Sequence, residues 1–353
     1  MTTPLATIAT VGVRSPIGLN AVETALMLRA GSAAMAPCAL ADANGEPVTF
    51  CVQPTLDPRL IGSARAARLA IPAMEEALAP FGKLAGELSM KLVLCIDETF
   101  EAKVPVGAPH PAAEMVHWIH TRARELVAPK LPIQLCARGA AGPAQILEEQ
   151  LDALGRGTHG AILLGGVHTD YDPARLAELI DKHRLYSPDN LDGLIPGETA
   201  AFVVLMRPDV ARRMQIPPHA SLVAHGSGWE DANPDNDHPA MEAKGLTHAV
   251  NKAIEPLLAD GLQCGWSITD LTFEMRRMHE WQAMLIRTRK AWREPYVVDS
   301  PAQRIGYLGA AAMPLGMALA HEGWRRGMAP DGRCVVMAGS EAGGRGAWTL
   351  AAG

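Results

Sequence analysis

The sequence has little of what marks several protein classes. Aromatic residues are only 5% of it, while alanine and glycine are abundant, a composition suited to helices packed closely on sheets. Charge is nearly balanced: a formal net charge of −6 gives no general attraction to nucleic acid or an anionic membrane surface. No apolar run approaches the roughly 18 residues needed to cross a bilayer. The opening stretch MTTPLATIATVG has no basic region followed by an apolar core, so no secretory signal is expected there. There is no C-x-x-C pair. Cys38, Cys51, Cys95, Cys136, Cys264 and Cys334 are widely spaced and read as reduced core thiols of a cytoplasmic protein. No cofactor and no resident metal are expected.

What is present is a large apolar fraction, 48% over 353 residues, enough for one large α/β unit or two ordinary domains. The chain is organised around residues 133–166. Ile133–Ala137 has strand character. Gly139 and Gly142 break it, and Pro143 suits a first helical turn. Ile146, Leu147, Leu151 and Leu154 then recur at helical spacing, with Glu148, Glu149 and Asp152 opposite. Gly155 and Gly157 end that helix, and Ala161–Leu164 is the next buried strand. A strand-to-helix elbow of this kind can hold a nucleophile, because a helix N-terminus lowers a thiol pKa and offers N–H groups to an oxyanion.

Elsewhere, strands are expected over Ala6–Val13, Lys91–Ile96, Ala200–Met206, Ser221–His225, Leu271–Met275 and Cys334–Met337. Helices are expected over Ser63–Leu78, Ala112–Leu126, Asp172–Leu185 and Leu246–Leu258, and within Pro301–Arg325. Residues 36–60 read as loop and short strand. Glu114, His117 and His120 share a helix face as metal ligands can, but with no second such pair solvated helix residues are the simpler account. The acidic loop Trp229–Pro239 lacks the glycine and closing glutamate of a calcium loop.

Three stretches resemble the β-ketoacyl synthases of the thiolase superfamily. Residues 10–35 resemble the ketosynthase opening, a strand, a T/S-P-x-G turn and a helix ending in G-x-S. Asp192-Gly193 and Pro196-Gly197-Glu198, leading into Ala200–Met206, match the D-G-F-V-x-G-E-G-A-A segment. The elbow at 133–166 resembles the nucleophile region. The resemblance implies a five-layered αβαβα fold made of two duplicated βαβαβ halves, residues 1–210 and 211–353, forming one compact unit. It also implies a homodimer pairing Ile133–Ala137 with its mate.

The chemistry that the resemblance implies is missing residue by residue. In the family a cysteine opens the helix, roughly seventeen residues before the glycine matching Gly157. That count lands on Ala140, or on Ala141 if it slips by one. The first family histidine, in H-G-T-x-T, falls near Arg277, taking LTFEM as the preceding strand. In S-x-K-x-x-x-G-H the lysine has become Ala302 and the second histidine Tyr307. The F-G-F-G-G gate reads Ser340-Glu341-Ala342-Gly343-Gly344. Cys136, four residues early, and His279 are the weak candidates for surviving chemistry.

The expected function is therefore a catalytically inactive ketosynthase-like protein, a pseudoenzyme acting as partner subunit, adaptor or chaperone for another protein. Chain-length subunits of the superfamily are inactive members of this sort. Proteins of this size also occur among genes of bacterial type VI secretion effectors, which makes such an effector a candidate partner. The alternatives are altered acyltransferase chemistry in the same pocket, or binding of acyl-CoA or an acyl carrier protein without turnover.

Overall fold

A computed structural model describes residues 3–42, 44–100, 110, 112–234, 236 and 240–353; part of the acidic loop, 235 and 237–239, lies outside them. The strands are β1 (Ala6–Arg14), β2 (Met35–Ala41), β3 (Pro47–Cys51), β4 (Met90–Cys95), β5 (Ile133–Cys136), β6 (Ala161–Thr169), β7 (Glu198–Met206), β8 (Ala220–Trp229), β9 (Cys264–Thr269), β10 (Trp292–Asp299), β11 (Arg333–Gly339) and β12 (Gly344–Ala352). The helices are α1 (Ala21–Arg29), α2 (Gly62–Leu78), α3 (Ala113–Leu126), α4 (Gly142–Gly155), α5 (Pro173–Asp181), α6 (Pro208–Arg213), α7 (Lys244–Ala259), α8 (Met275–Arg287), α9 (Ala302–Ile305) and α10 (Ala312–Arg325).

Ten strands hydrogen-bond in the order β10-β9-β11-β12-β8-β1-β7-β6-β4-β5. Read inward from either edge, the sequence is the same: β5-β4-β6-β7-β1 from one side, β10-β9-β11-β12-β8 from the other. The pairing matches too. β4 is parallel to β5 and β6, and β9 to β10 and β11; the remaining neighbours are antiparallel. Among the described residues the two sets are joined in the sheet where β1 pairs with β8, at Ala6–Leu222, Thr7–Ser221 and Ile8–Ala220.

α2 and α3 pack on the outer face of the first set, and α7 and α8 on that of the second. α4 and α10 lie between them, each against strands of both sets. This gives the five layers helix, sheet, helix, sheet, helix. Covered on both faces, β6 and β7 read as continuous apolar runs. α10 is buried almost all round, from Ala312 through Ala318 and again over Ala320–Gly323, as a helix without a solvent face must be.

Several sequence expectations need correction. Leu271–Met275 is not a strand; β9 ends at Thr269 and α8 starts at Met275. The apolar run LTFEM mimics a strand, but its Phe273 and Met275 are exposed. The helix expected over Asp172–Leu185 stops at Asp181. The helix expected within Pro301–Arg325 is present as α10, Ala312–Arg325, after the short α9 and the turn in which Gly306 and Gly309 take positive φ. Residues 36–60 hold short strand and loop as expected, the strands pairing as the hairpin β2–β3, which begins at Met35. On α3, His120 Nε2 lies 2.8 Å from the Leu131 carbonyl, and among the described residues no three His, Cys, Asp or Glu side chains are grouped to hold a metal.

Candidate functional site

β5 ends at Cys136, and the chain turns into α4 through Gly139, whose φ of +63° favours glycine, and one 3₁₀ turn over Gly139–Ala141. Ala140 and Ala141 are wholly buried. Two backbone donors beside this helix start are already engaged. The Ala141 N–H donates to Ser340 Oγ at 2.9 Å, and the Ser340 hydroxyl donates to the Arg138 carbonyl. The Ala342 N–H donates to Glu98 Oε1 at 3.0 Å, while Glu98 Oε2 lies directly over Gly139. A helix N-terminus is a ready anion site; here the Glu98 carboxylate lies beside it over Gly139 and accepts from the Ala342 N–H rather than from an N–H of the helix start. Burial, then the nearby Asp97 and Glu341 charges, push the Glu98 carboxyl above its ordinary pKa.

The second central helix is entered in the same way. Gly309–Ala311 forms a 3₁₀ turn ahead of α10, with Gly309 at φ +43°. The Ala310 N–H donates to Asp97 Oδ1 at 2.9 Å. Asp97 Oδ2 also lies 2.6 Å from His168 Nδ1, at the end of β6. On its other side, His168 Nε2 makes a 3.0 Å ion contact with Asp170 Oδ2, too poorly aligned to count as a hydrogen bond. Burial opposes a charge on His168, but Asp170 and Asp97 outweigh it and lift its pKa to about 10. Asp170 resists burial through His168 and Arg175 and stays well below the usual carboxylate range.

Arg175, on α5, extends the cluster. It donates to Asp170 at 3.0 Å, Glu178 at 2.9 Å and Glu341 at 3.1 Å. Arg184 donates to Glu341 and Glu274, both at 2.9 Å. The turn 340–344 is thereby tied to α5 and to the residue preceding α8 by two arginines sharing one glutamate.

The residues singled out from sequence fall as follows. Ala140 lies at the buried turn into α4. Tyr307 is buried, its ring edge-on to His168 with centroids 4.9 Å apart; burial, then Glu341, Glu98 and Asp97, push its pKa well above the ordinary phenol value. Ala302 is buried at the start of α9. Arg277 is on the first turn of α8, well beyond the end of β9, so its place two residues after a strand is not observed; Asp270 and Leu271 follow the strand instead. Its guanidinium pairs with Asp270 and approaches Glu280, which Arg345 binds from the other side. Burial disfavours the charge on Arg277, but Asp270 and Glu280 overcome it. His279, on the same helix, faces solvent. Cys136 is buried in register with Cys95, whose thiol pKa is raised by its hydrogen bond to Cys136 and by burial.

Beside this network is a cavity of about 330 Å³ that Tyr307, Glu98 and His168 help to line; Ala140 is not part of its wall. The structure therefore brings Tyr307 to the cavity and leaves Cys136 and His279 away from it. Asp97, Glu98, His168, Asp170 and Arg175 were not picked out from sequence. The one signal is at His168–Tyr171: the apolar stretch Ala161–Val167 runs straight into His-Thr-Asp-Tyr, polar residues that are nonetheless mostly buried.

No protein-family model matches the sequence, and no curated protein matches it. Solved structures do match over nearly the whole chain. "The ishigamide ketosynthase/chain length factor" is 17% identical, with a TM-score of 0.72 over 98% of this chain and 99% of that one. A β-ketoacyl synthase from Burkholderia phymatum STM815 is 16% identical, with a TM-score of 0.75 over 99% of this chain and 100% of the other. A type II polyketide synthase acyl-carrier protein in complex with its ketosynthase bound to the hexaketide is 11% identical, with a TM-score of 0.77 over 99% and 100%. The fold is that of the ketosynthases, the thiolase-like fold.

Proposed function

We propose that this chain is a non-catalytic ketosynthase-fold protein that acts by binding another protein, as partner subunit, adaptor or chaperone. One observation carries the reading: the helix start where an acyl-carrying thiolate would sit has alanine at 140, with the neighbouring Ala141 N–H held by Ser340 and the Ala342 N–H by Glu98. Covalent acyl transfer needs an activated nucleophile, which Ala140 does not supply, and free donors for the oxyanion, whereas the Ala141 and Ala342 N–H groups beside it are engaged. Tyr307 and Arg277 do not supply a base at neutral pH: one is a buried phenol, the other a paired guanidinium.

The division at about residue 210, a cytoplasmic location and a homodimer belong to the same proposal. The mirrored strand order supports the first. The second rests on six free thiols, five of them buried; among the described residues no helix is long and apolar enough to cross a membrane. The dimer is supported by β5, an edge strand whose Leu135 is 41% exposed, since an uncovered edge invites pairing. A bacterial type VI secretion effector is the client class proposed here, and an acyl carrier protein is the competing partner. The test is incubation of the intact protein with labelled acyl-CoA and acylated carrier protein, read by intact mass, alongside affinity capture from the native host. The expected result is no covalent adduct and a captured client protein. A thioester on Cys136 that is lost in Cys136→Ala overturns the reading.

A further inference from the structure

A second cavity, of about 470 Å³, lies at the C-terminal end of α10, away from the turn that carries Ala310. α10, β1, the end of α2 with the turn after it, and the stretch before β8 enclose it. Much of its wall is apolar, with Val11, Phe81, Met214 and Ile216 among the lining side chains. The carboxylates on the wall are met inside the protein. Glu76 accepts from the Val13 N–H at 3.0 Å, the Ala21 N–H at 2.9 Å and Arg14 at 3.3 Å. Glu322 accepts from Arg325 at 3.1 Å and Arg326 at 3.0 Å.

One polar atom on this wall is not met. His321 is only 4% exposed, and its ring forms part of the cavity wall. Its Nδ1 lies 3.2 Å from Glu322 Oε1. Burial opposes the Glu322 charge, but His321, Arg326 and Arg325 outweigh it and hold that carboxyl at a pKa of about 2. An ionised carboxylate only accepts, so Nδ1 carries the proton. Two arginines already balance Glu322, so nothing calls for a second proton on the ring, and Nε2 is left as an acceptor. It is buried and has no hydrogen-bond partner among the described residues. A buried acceptor without a donor costs stability, and a ligand carrying a hydroxyl supplies the missing donor. Burial also holds the neighbouring His219 imidazole below its ordinary pKa, which favours a neutral ligand over an anion.

We propose that this cavity binds an uncharged alcohol, its hydroxyl donating to His321 Nε2 and its apolar stem lying along Phe81, Met214 and Ile216. The inference goes beyond the partner-protein reading and does not depend on it, since the cavity shares no lining residue with the start of α4.

The experiment is titration of the isotope-labelled intact protein, followed by NMR, with n-hexanol, with methyl pentyl ether and with sodium hexanoate. The ether has the same atoms as the alcohol but no hydroxyl to donate. The alcohol is expected to saturate shifts of amides around the cavity and to move the His321 Nε2 resonance. The ether and hexanoate should bind about tenfold more weakly or less. His321→Phe keeps an aromatic ring and should weaken the alcohol about tenfold, to the level of the ether. Glu46→Gln, an exposed site on the β2–β3 turn, should leave alcohol binding unchanged. Circular dichroism confirms that each variant is folded, and the comparison of alcohol with ether needs no variant. No binding of the alcohol, equal binding of alcohol and ether, or tighter binding of hexanoate overturns the assignment. Each of these results leaves the acylation test untouched.

Discussion

Glu98 covers Gly139 so closely that a Cβ on residue 139 would lie 1.7 Å from Oε2. The two residues come from different strand ends, one after β4 and one after β5, and together they close the start of α4. Gly139→Ala is expected to destabilise the protein by about 2 kcal/mol or more, since it combines positive φ with a clash. Denaturant unfolding measures this, and relief of the loss by Glu98→Ala in the same chain would identify the clash as its main cause.

The same closure bears on restoring a nucleophile. Ala140→Cys alone is expected to give no acyl adduct by intact mass, because the Ala141 and Ala342 N–H groups beside it remain bound to Ser340 and Glu98 and no base stands by. Adduct formation in the single variant would show that these contacts open readily.

His168 ties stability to pH. Its folded pKa of about 10 lies above the unfolded value near 6.5. A raised pKa contributes stability that is fully present below pH ~6.5 and is lost as pH rises through about 10. His168→Gln leaves Asp97 and Asp170 facing each other without the cation and should cost about 3–5 kcal/mol at pH 6. Unfolding curves at pH 6, 8 and 10 should show the gap to the unsubstituted protein narrowing as pH rises; a constant gap would mean the histidine is neutral throughout.

The thiols should differ in reactivity. Cys38 is half-buried, whereas the other five are buried. Burial pushes Cys51 and Cys264 up to about 12, leaving almost no thiolate at neutral pH. A colorimetric thiol reagent should label one cysteine rapidly in the native protein and all six in denaturant. Fast labelling of Cys136 would contradict its buried position.

If β5 is the dimer edge, Leu135→Lys should give a monomer by light scattering at micromolar concentration, with no loss of secondary structure. A dimer that survives the substitution would place the interface elsewhere.

Much of the fold could be read from local pattern. The elbow at 133–166, α2 and β7 appear close to where periodicity put them, because their apolar residues are both clustered and buried. β9 is not legible as a strand from its own sequence, whereas LTFEM imitates one. CGWSIT mixes polar and apolar residues, yet all six are buried, whereas LTFEM looks apolar and is partly exposed. Only the neighbouring strands, which are remote in sequence, decide between them. The site was less accessible for the same reason. Asp97, His168, Arg175 and Glu341 come from four separate segments, and each alone reads as an ordinary surface charge. Sequence frames could point to Ala140 and Tyr307, but only the fold could show that Glu98 lies beside one and an acidic cavity beside the other.

The mirrored sheet also sets an order of events during synthesis. α4 belongs to the first set of strands, but it packs against β8 and β12 as well as β6, and β12 spans Gly344–Ala352. While the chain is emerging from the ribosome, the inner face of α4 has no complete partner until residue 352 has cleared the exit tunnel. Residues 1–210 therefore emerge as a fragment with one apolar helix face uncovered, and the central layer closes only after translation has passed β12. A ribosome stalled before Gly344 should display a protease-sensitive nascent chain, and one stalled on a linker beyond Ala352 a resistant one.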